Sequence, residues 1–152
     1  MTLLLPREFQ TRIEAQARAA FPGECCGLIE GRRDNNMTHV LALHPARNIA
    51  SRRDRFEIHP EDHFAALKEA RADGQAIIGC YHSHPNGMAK PSAADRTGAG
   101  EEDFLWLIAA LAKADGPVTL AAYCYSAADF RSVDMIAEVG TDLVTSSGKS
   151  LS

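Results

Sequence analysis

The chain has no Cys-x-x-Cys pair among its four cysteines, no apolar run approaching the roughly 20 residues that span a bilayer, and no excess of basic charge. Each absence removes a class of function. Without Cys-x-x-Cys, neither a thioredoxin-like redox site nor a zinc ribbon is expected. Neighbouring Cys25 and Cys26 are poorly placed to bridge each other, and with Cys80 and Cys124 they read as reduced thiols of a cytoplasmic protein. The apolar part of the N-terminus, Leu3-Leu4-Leu5, is too short for a secretory signal, so no targeting and no membrane association are expected. Sixteen basic against twenty acidic residues give a formal charge of −4, which argues against a nucleic-acid partner. There is no internal repeat and no linker between two domains. Tryptophan occurs once, as Trp106, and is expected in the core.

The 152 residues that are present suit one domain. A domain of this size buries roughly 68–70% of the surface its unfolded chain exposes, so it needs no covalent staple. Apolar content of 45% and charged content of 24% are ordinary for a globular protein.

Periodicity outlines the elements. Pro6 to Ala20 reads as a helix, with Phe9, Ile13, Ala17 and Ala20 on one face and Pro22-Gly23 as its stop. Cys25 to Glu30 and residues 38–44 read as two strands of a hairpin around the polar turn Arg32 to Asn36. Phe56-Glu57-Ile58 alternates like a short strand, and Pro60 opens a helix to about Ala72. Ala76 to Tyr81 reads as a buried strand, and Ser92 starts a helix that fades near Gly98. Phe104 to Leu111 is apolar throughout, and period alone leaves strand or helix open. Val118 to Tyr125 and Phe130 to Ile136 read as strands around a turn at Ala127 to Asp129. The order implies an α/β or α+β domain, a mixed sheet with helices packed on it. Residues 1–138 form the expected domain, and 139–152, rich in Ser, Thr and Gly, an expected mobile tail.

The chemistry concentrates in His82-Ser83-His84-Pro85, six further residues, and Ser92-Ala93-Ala94-Asp95. On an extended segment, residues two apart point to the same side, so His82 and His84 can present both imidazoles to one point. The intervening loop is long enough for Asp95 to supply a third ligand. Two imidazole nitrogens and one carboxylate oxygen suit Zn²⁺ and leave one tetrahedral position open for water, whose pKa zinc lowers to about 7. Hydrolysis also needs a group that moves protons, and Glu24 is the candidate acid/base. The Ser92 hydroxyl can donate to an oxyanion. Blander readings stand beside these. Ser92-x-x-Asp95 is also a capping-box pattern, His-x-His is common on surfaces, and an isolated Glu is most often solvated.

These residues resemble a known family. Glu24, then His82-Ser83-His84-Pro85, then Ser92 and Asp95 match every position of the JAMM (MPN+) metallopeptidase motif. Glu24 to Gly31 resembles the strand that carries the glutamate in small prokaryotic members, and Asn48, Phe56 and Ile58-His59-Pro60 resemble the segment before the family's second helix. The resemblance covers about residues 3–136. It implies a cytidine-deaminase-like α/β/α sandwich, one Zn²⁺ per chain held by His82, His84 and Asp95, Glu24 as general acid/base, and Ser92 stabilising the transition state. It further implies peptidase or isopeptidase action after the C-terminal Gly-Gly of a ubiquitin-like sulfur-carrier protein. An extended substrate tail could add as a strand to a sheet edge beside the zinc. Small sheet domains often pair, so a homodimer is an open expectation.

Competing readings are a phage-tail or cell-wall JAMM peptidase, a RadC-type relative, and a metal-free MPN interaction scaffold, against which the intact motif argues. A nucleoside deaminase lacks support because Pro-Cys-x-x-Cys is absent. His39, His44, His59 and His63 show no evident partner and read as structural or solvated. Cys80 reads as a buried strand thiol, and Arg52-Arg53-Asp54-Arg55 as a solvated loop or a contact for an acidic surface.

Overall fold

A computed structural model describes residues 1–139, so the expected tail falls outside the described residues from position 140 onward. Seven strands, β1 (Thr2–Leu4), β2 (Cys26–Asp34), β3 (Met37–Ala46), β4 (Ala76–His84), β5 (Phe104–Ala110), β6 (Thr119–Ser126) and β7 (Asp129–Ile136), alternate with helices α1 (Arg7–Ala20), α2 (Pro60–Ala72) and α3 (Ala93–Gly98). The strand order is β1-β3-β2-β4-β5-β6-β7, and β1 pairs with β7 to close the sheet. β4 runs parallel to β5, and β1 parallel to both its neighbours, while the remaining pairs are antiparallel. The mixed sheet with helices is the expected α/β architecture.

Strand alternation explains the layers. Odd-numbered Ile29, Tyr81, Leu105 and Leu107 share a buried cluster with Phe9, Ile13 and Ala17 of α1. Even-numbered Leu28, Cys80 and Trp106 share a second cluster with Ala66 of α2. Since successive side chains point to opposite faces, α1 covers one face and α2 the other. Burial of a full Leu or Ile side chain contributes about 1.5–3 kcal/mol, and these two faces supply most of the apolar burial. Trp106 lies in the second cluster, 6% exposed.

Several segments differ from the sequence expectation, and one left open there is settled. β1 was not anticipated, because three residues before Pro6 are too few to establish a period; Leu3 and Leu5 are nonetheless fully buried. β2 passes Gly31 and continues to Asp34, its register shifting by a bulge around Glu30. Phe104–Ala110 is a strand, paired on both sides. Phe56–Ile58 is not a strand but part of a loop, tied by the isolated bridge between Asn48 and Ile58. The short apolar-polar alternation there reflects one face of a loop lying on the second cluster, where Phe56 and Ile58 pack.

β4 does not stop at Tyr81 but carries both histidines to its end. It is flanked by β2 on one side and β5 on the other, with His82 opposite Cys26 and Ile108. The expected addition of a substrate strand beside the histidines is therefore corrected: no free sheet edge lies there among the described residues.

Candidate metal centre and catalytic cleft

The site is built at the C-terminal end of β4. His82 and His84 share the face that carries Cys80, and both are buried. Their Nε2 atoms lie 2.9 Å apart. Asp95, from the first turn of α3, brings Oδ1 to 3.1 Å from His82 Nε2 and Oδ2 to 3.0 Å from His84 Nε2. The capping box anticipated at Ser92 is present: Ser92 Oγ accepts from Asp95 N–H at 3.1 Å, and Asp95 Oδ2 accepts from Ser92 N–H at 2.9 Å. Capping and convergence are thus one arrangement, because the cap fixes the carboxylate that faces the histidines.

The loop between β4 and α3 fixes the tautomer. His84 Nδ1 donates to the Met88 carbonyl at 2.8 Å, which leaves Nε2 to carry a lone pair. Tyr123 O–H donates to Ala89 O at 2.7 Å and pins the same loop to β6. A lone pair on His84 Nε2 then faces a carboxylate oxygen at 3.0 Å. Such a contact requires a shared proton or a cation. The buried His82 Nδ1 has no partner among the described residues. Burial and the hydrogen bonds act in opposition here. Burial lowers His82. For Asp95, burial pushes upward, but the two adjoining imidazoles outweigh it and hold the carboxyl well below its usual range. The donor set, two imidazoles and one ionised carboxylate, fits a divalent transition ion such as zinc.

Glu24 lies in the segment just before β2. It is 7% exposed, and its Oε1 is buried without a partner. One of its carboxylate oxygens and one nitrogen of each histidine fall within 4.8 Å of one another. Burial pushes its carboxyl up to about 7, with the neighbouring Asp95 and Asp54 charges adding to the rise and His84 opposing it. Glu24, His84 and Ser92 line one cleft of about 290 Å³. All five residues singled out in the sequence therefore come together.

Three residues that act on this arrangement were not recognised from the sequence in any such role. The peptide unit between Glu24 and Cys25 precedes the β2 ladder, so its polar atoms need other partners. Asn48 Nδ2 donates to Glu24 O at 2.9 Å, and Ser83 Oγ accepts from Cys25 N–H at 2.8 Å. Asn48 also donates to Arg55 O, and its Oδ1 accepts from the amides of Ala50 and Glu57, so one amide group ties Glu24 to the loop before α2. That loop carries Phe56, whose ring stacks on His82 at 4.2 Å. The signals were the position of Ser83 between the two histidines and the family resemblance at Asn48 and Phe56, which gave no role to either. Gly27 is needed on the same strand, because a Cβ there would come within 2.4 Å of the Tyr81 ring.

Other expectations resolve locally. His44 has a partner after all, its Nε2 lying 2.8 Å from the buried Glu30 Oε1 and its Nδ1 3.3 Å from Glu69. His59 caps α2, accepting from Glu61 N–H. Arg52 pairs with Asp54 at 2.9 Å in an exposed loop. All four cysteines are unpaired. No helix of the described residues is long and apolar enough to cross a membrane.

A family model described as prokaryotic homologs of the JAB domain matches residues 6–123. The chain belongs to this family. Among JAB-domain relatives, a desampylase of Haloferax volcanii is 33% identical over 118 residues, 77% of this chain and 80% of that protein. A probable TtuB-protein conjugate cleaving protease of Thermus thermophilus is 31% identical over 96 residues, 62% of each chain. The tail tip assembly protein K of Escherichia phage N15 is 29% identical over 104 residues, 68% of this chain but 39% of that protein. A solution structure of a protein from Desulfitobacterium hafniense superposes with a TM-score of 0.81 at 28% identity, covering 91% of this chain and 94% of the other. The chain thus shares its fold with that solution structure.

Proposed function

We propose that this JAB-domain protein is a zinc peptidase or isopeptidase that hydrolyses the amide bond after the C-terminal Gly-Gly of a ubiquitin-like sulfur-carrier protein. The observation that carries the reading is the buried convergence of His82, His84 and Asp95 in reach of the unpartnered Glu24 carboxyl. Relatives named desampylase and conjugate-cleaving protease support the substrate class. The unpaired cysteines suit a reducing, cytoplasmic setting.

His82 Nε2, His84 Nε2 and an Asp95 oxygen would hold the ion. Zn²⁺ bound there would supply Lewis acidity, polarising the substrate carbonyl and making hydroxide available near neutral pH. Glu24 takes the proton released by the attacking water at its carboxylate and delivers it to the departing amine. Its buried place in the cleft, where burial already raises the carboxyl in the metal-free chain, suits a group that both accepts and releases a proton. The Ser92 hydroxyl, in the same cleft, donates to the oxyanion as the carbonyl becomes tetrahedral. Capping holds that serine and Asp95 in fixed register. The Met88 carbonyl and the Phe56 ring hold the two imidazoles in orientation.

The test is cleavage of a ubiquitin-like protein fused through Gly-Gly to a reporter, read by mass spectrometry. Native protein loaded with zinc should release the reporter after the second glycine. Glu24→Gln should lower the rate about 10²–10⁴-fold with zinc retained. Equal turnover by Glu24→Gln would remove Glu24 from proton transfer.

A further inference from the structure

β4 is flanked by β2 and β5, so an extended tail reaching the histidines must cross the outer surface between the loop before α2 and the start of α3. Two cavities meet along that line. The smaller, about 290 Å³, contains Glu24, His84 and Ser92 and suits small residues passing the reacting centre. The larger is about 790 Å³ and shares Arg55, Ala93 and Ala94 with the smaller. Its apolar lining includes Leu28, Phe56, Ile58, Cys80, Phe104 and Trp106, and its volume lies in the range of built ligand sites.

Asp54 lines the smaller cavity beside Arg55, so the junction is mixed in charge, but the two arginines there are held differently. Arg52 is held by Asp54 at 2.9 Å, whereas Arg55 has no carboxylate within 4.0 Å among the described residues. The Arg55 backbone is fixed, its carbonyl accepting from Asn48 Nδ2 at 3.1 Å. Glu57 and Glu101 line the larger cavity, and Glu24 and Asp54 the smaller. A guanidinium at the shared wall pairs best with a carboxylate, which it can engage through two parallel hydrogen bonds.

Building on the amide-hydrolase reading, we propose that the larger cavity is a subsite for the substrate tail. It receives a large apolar side chain, and Arg55 holds an acidic side chain on the next residue, immediately before Gly-Gly. The substrate class is thus narrowed to tails ending apolar–acidic–Gly-Gly.

The experiment compares aminomethylcoumarin amides of Phe-Glu-Gly-Gly, Ala-Glu-Gly-Gly and Phe-Arg-Gly-Gly on zinc-loaded native protein and on Arg55→Glu. Arg55 is exposed, so the substitution leaves the fold in place. Native protein should prefer Phe over Ala by about tenfold or more in kcat/KM. It should prefer Glu over Arg by about tenfold, and Arg55→Glu should invert only that second preference. Cleavage of all three within twofold, or an unchanged Glu preference in Arg55→Glu, overturns the proposal. A second readout does not need turnover. Trp106 is the only tryptophan and lines the cavity, so its emission should change on titration with the free peptide Phe-Glu-Gly-Gly in metal-free protein, and respond about tenfold more weakly to Phe-Arg-Gly-Gly. Selective binding without any hydrolysis would sink the hydrolase reading and keep the subsite. Hydrolysis without selectivity, or no Trp106 response to either peptide, would sink the subsite.

Discussion

Asn48→Asp is the substitution that isolates how Glu24 is held. It preserves size and both acceptor contacts, to the Ala50 and Glu57 amides. It removes the two N–H donors that reach Glu24 O at 2.9 Å and Arg55 O at 3.1 Å, and sets an oxygen against each carbonyl. Two lost hydrogen bonds cost about 1–3 kcal/mol together, and the facing oxygens add to this. For a chain of this size that is a fall of roughly 3–10 °C in Tm. The larger effect should be on rate. A catalytic group displaced by about 1 Å can lose about a hundredfold, so kcat on a Gly-Gly reporter should fall about 10- to 100-fold. Zinc content should stay near native, because no metal-binding side chain bonds to Asn48, whereas KM should rise, because Arg55 at the tail cavity loses the bond that holds its carbonyl. Ser83→Ala, which strips the other end of the same peptide unit, should act in the same direction. Its combination with Asn48→Asp should be less than additive, since both release one group. The reasoning is refuted if Asn48→Asp lowers Tm as expected but leaves kcat unchanged, or if kcat falls only in step with lost zinc.

Other outcomes follow from the same geometry. The Glu24 carboxyl is raised from 4.5 to about 7 in the folded, metal-free chain, so its neutral form favours folding. That stabilisation is complete below about pH 4.5 and is lost as pH rises through about 7, a change of about 3 kcal/mol. Urea unfolding of metal-free native protein, compared with Glu24→Gln across pH 4.5–8, should show this loss in the native chain only. Gly27→Ala should destabilise by about 1–3 kcal/mol, because the new methyl displaces the Tyr81 ring and its 2.7 Å bond to Gln16; an unchanged Tm would contradict it. Burial pushes the Cys26 thiol up to about 12, so iodoacetamide at pH 8 should leave Cys26 unmodified in folded protein, as peptide mapping would show.

The convergence of the candidate site residues was more legible than the strand pairing around them. His82, His84 and Asp95 could be read because a strand period and a short loop bring residues close in sequence to one point, and local rules govern both. Glu24 could be placed only through the family motif, since nothing local ties residue 24 to residue 82; the tie is the β2–β4 pairing of Cys26 with His82. The same limit hid Asn48 and Phe56, whose roles arise from a loop folding back across the sheet. β1 escaped because its pairing with β3 and β7 is long-range and its three residues carry no period. Its consequence is that the sheet closes, with β1 joining β3 to β7. The apolar run at Phe104–Ala110 was ambiguous because a strand buried on both faces loses its alternation.

The most direct test of the metal centre is zinc per chain by elemental analysis, on native protein and on His84→Ala purified in parallel. The account expects about one zinc per native chain and close to none in the variant, with circular dichroism confirming that both are folded. Equal zinc in the two, or none in native protein even after reconstitution, would contradict a centre built on His82, His84 and Asp95.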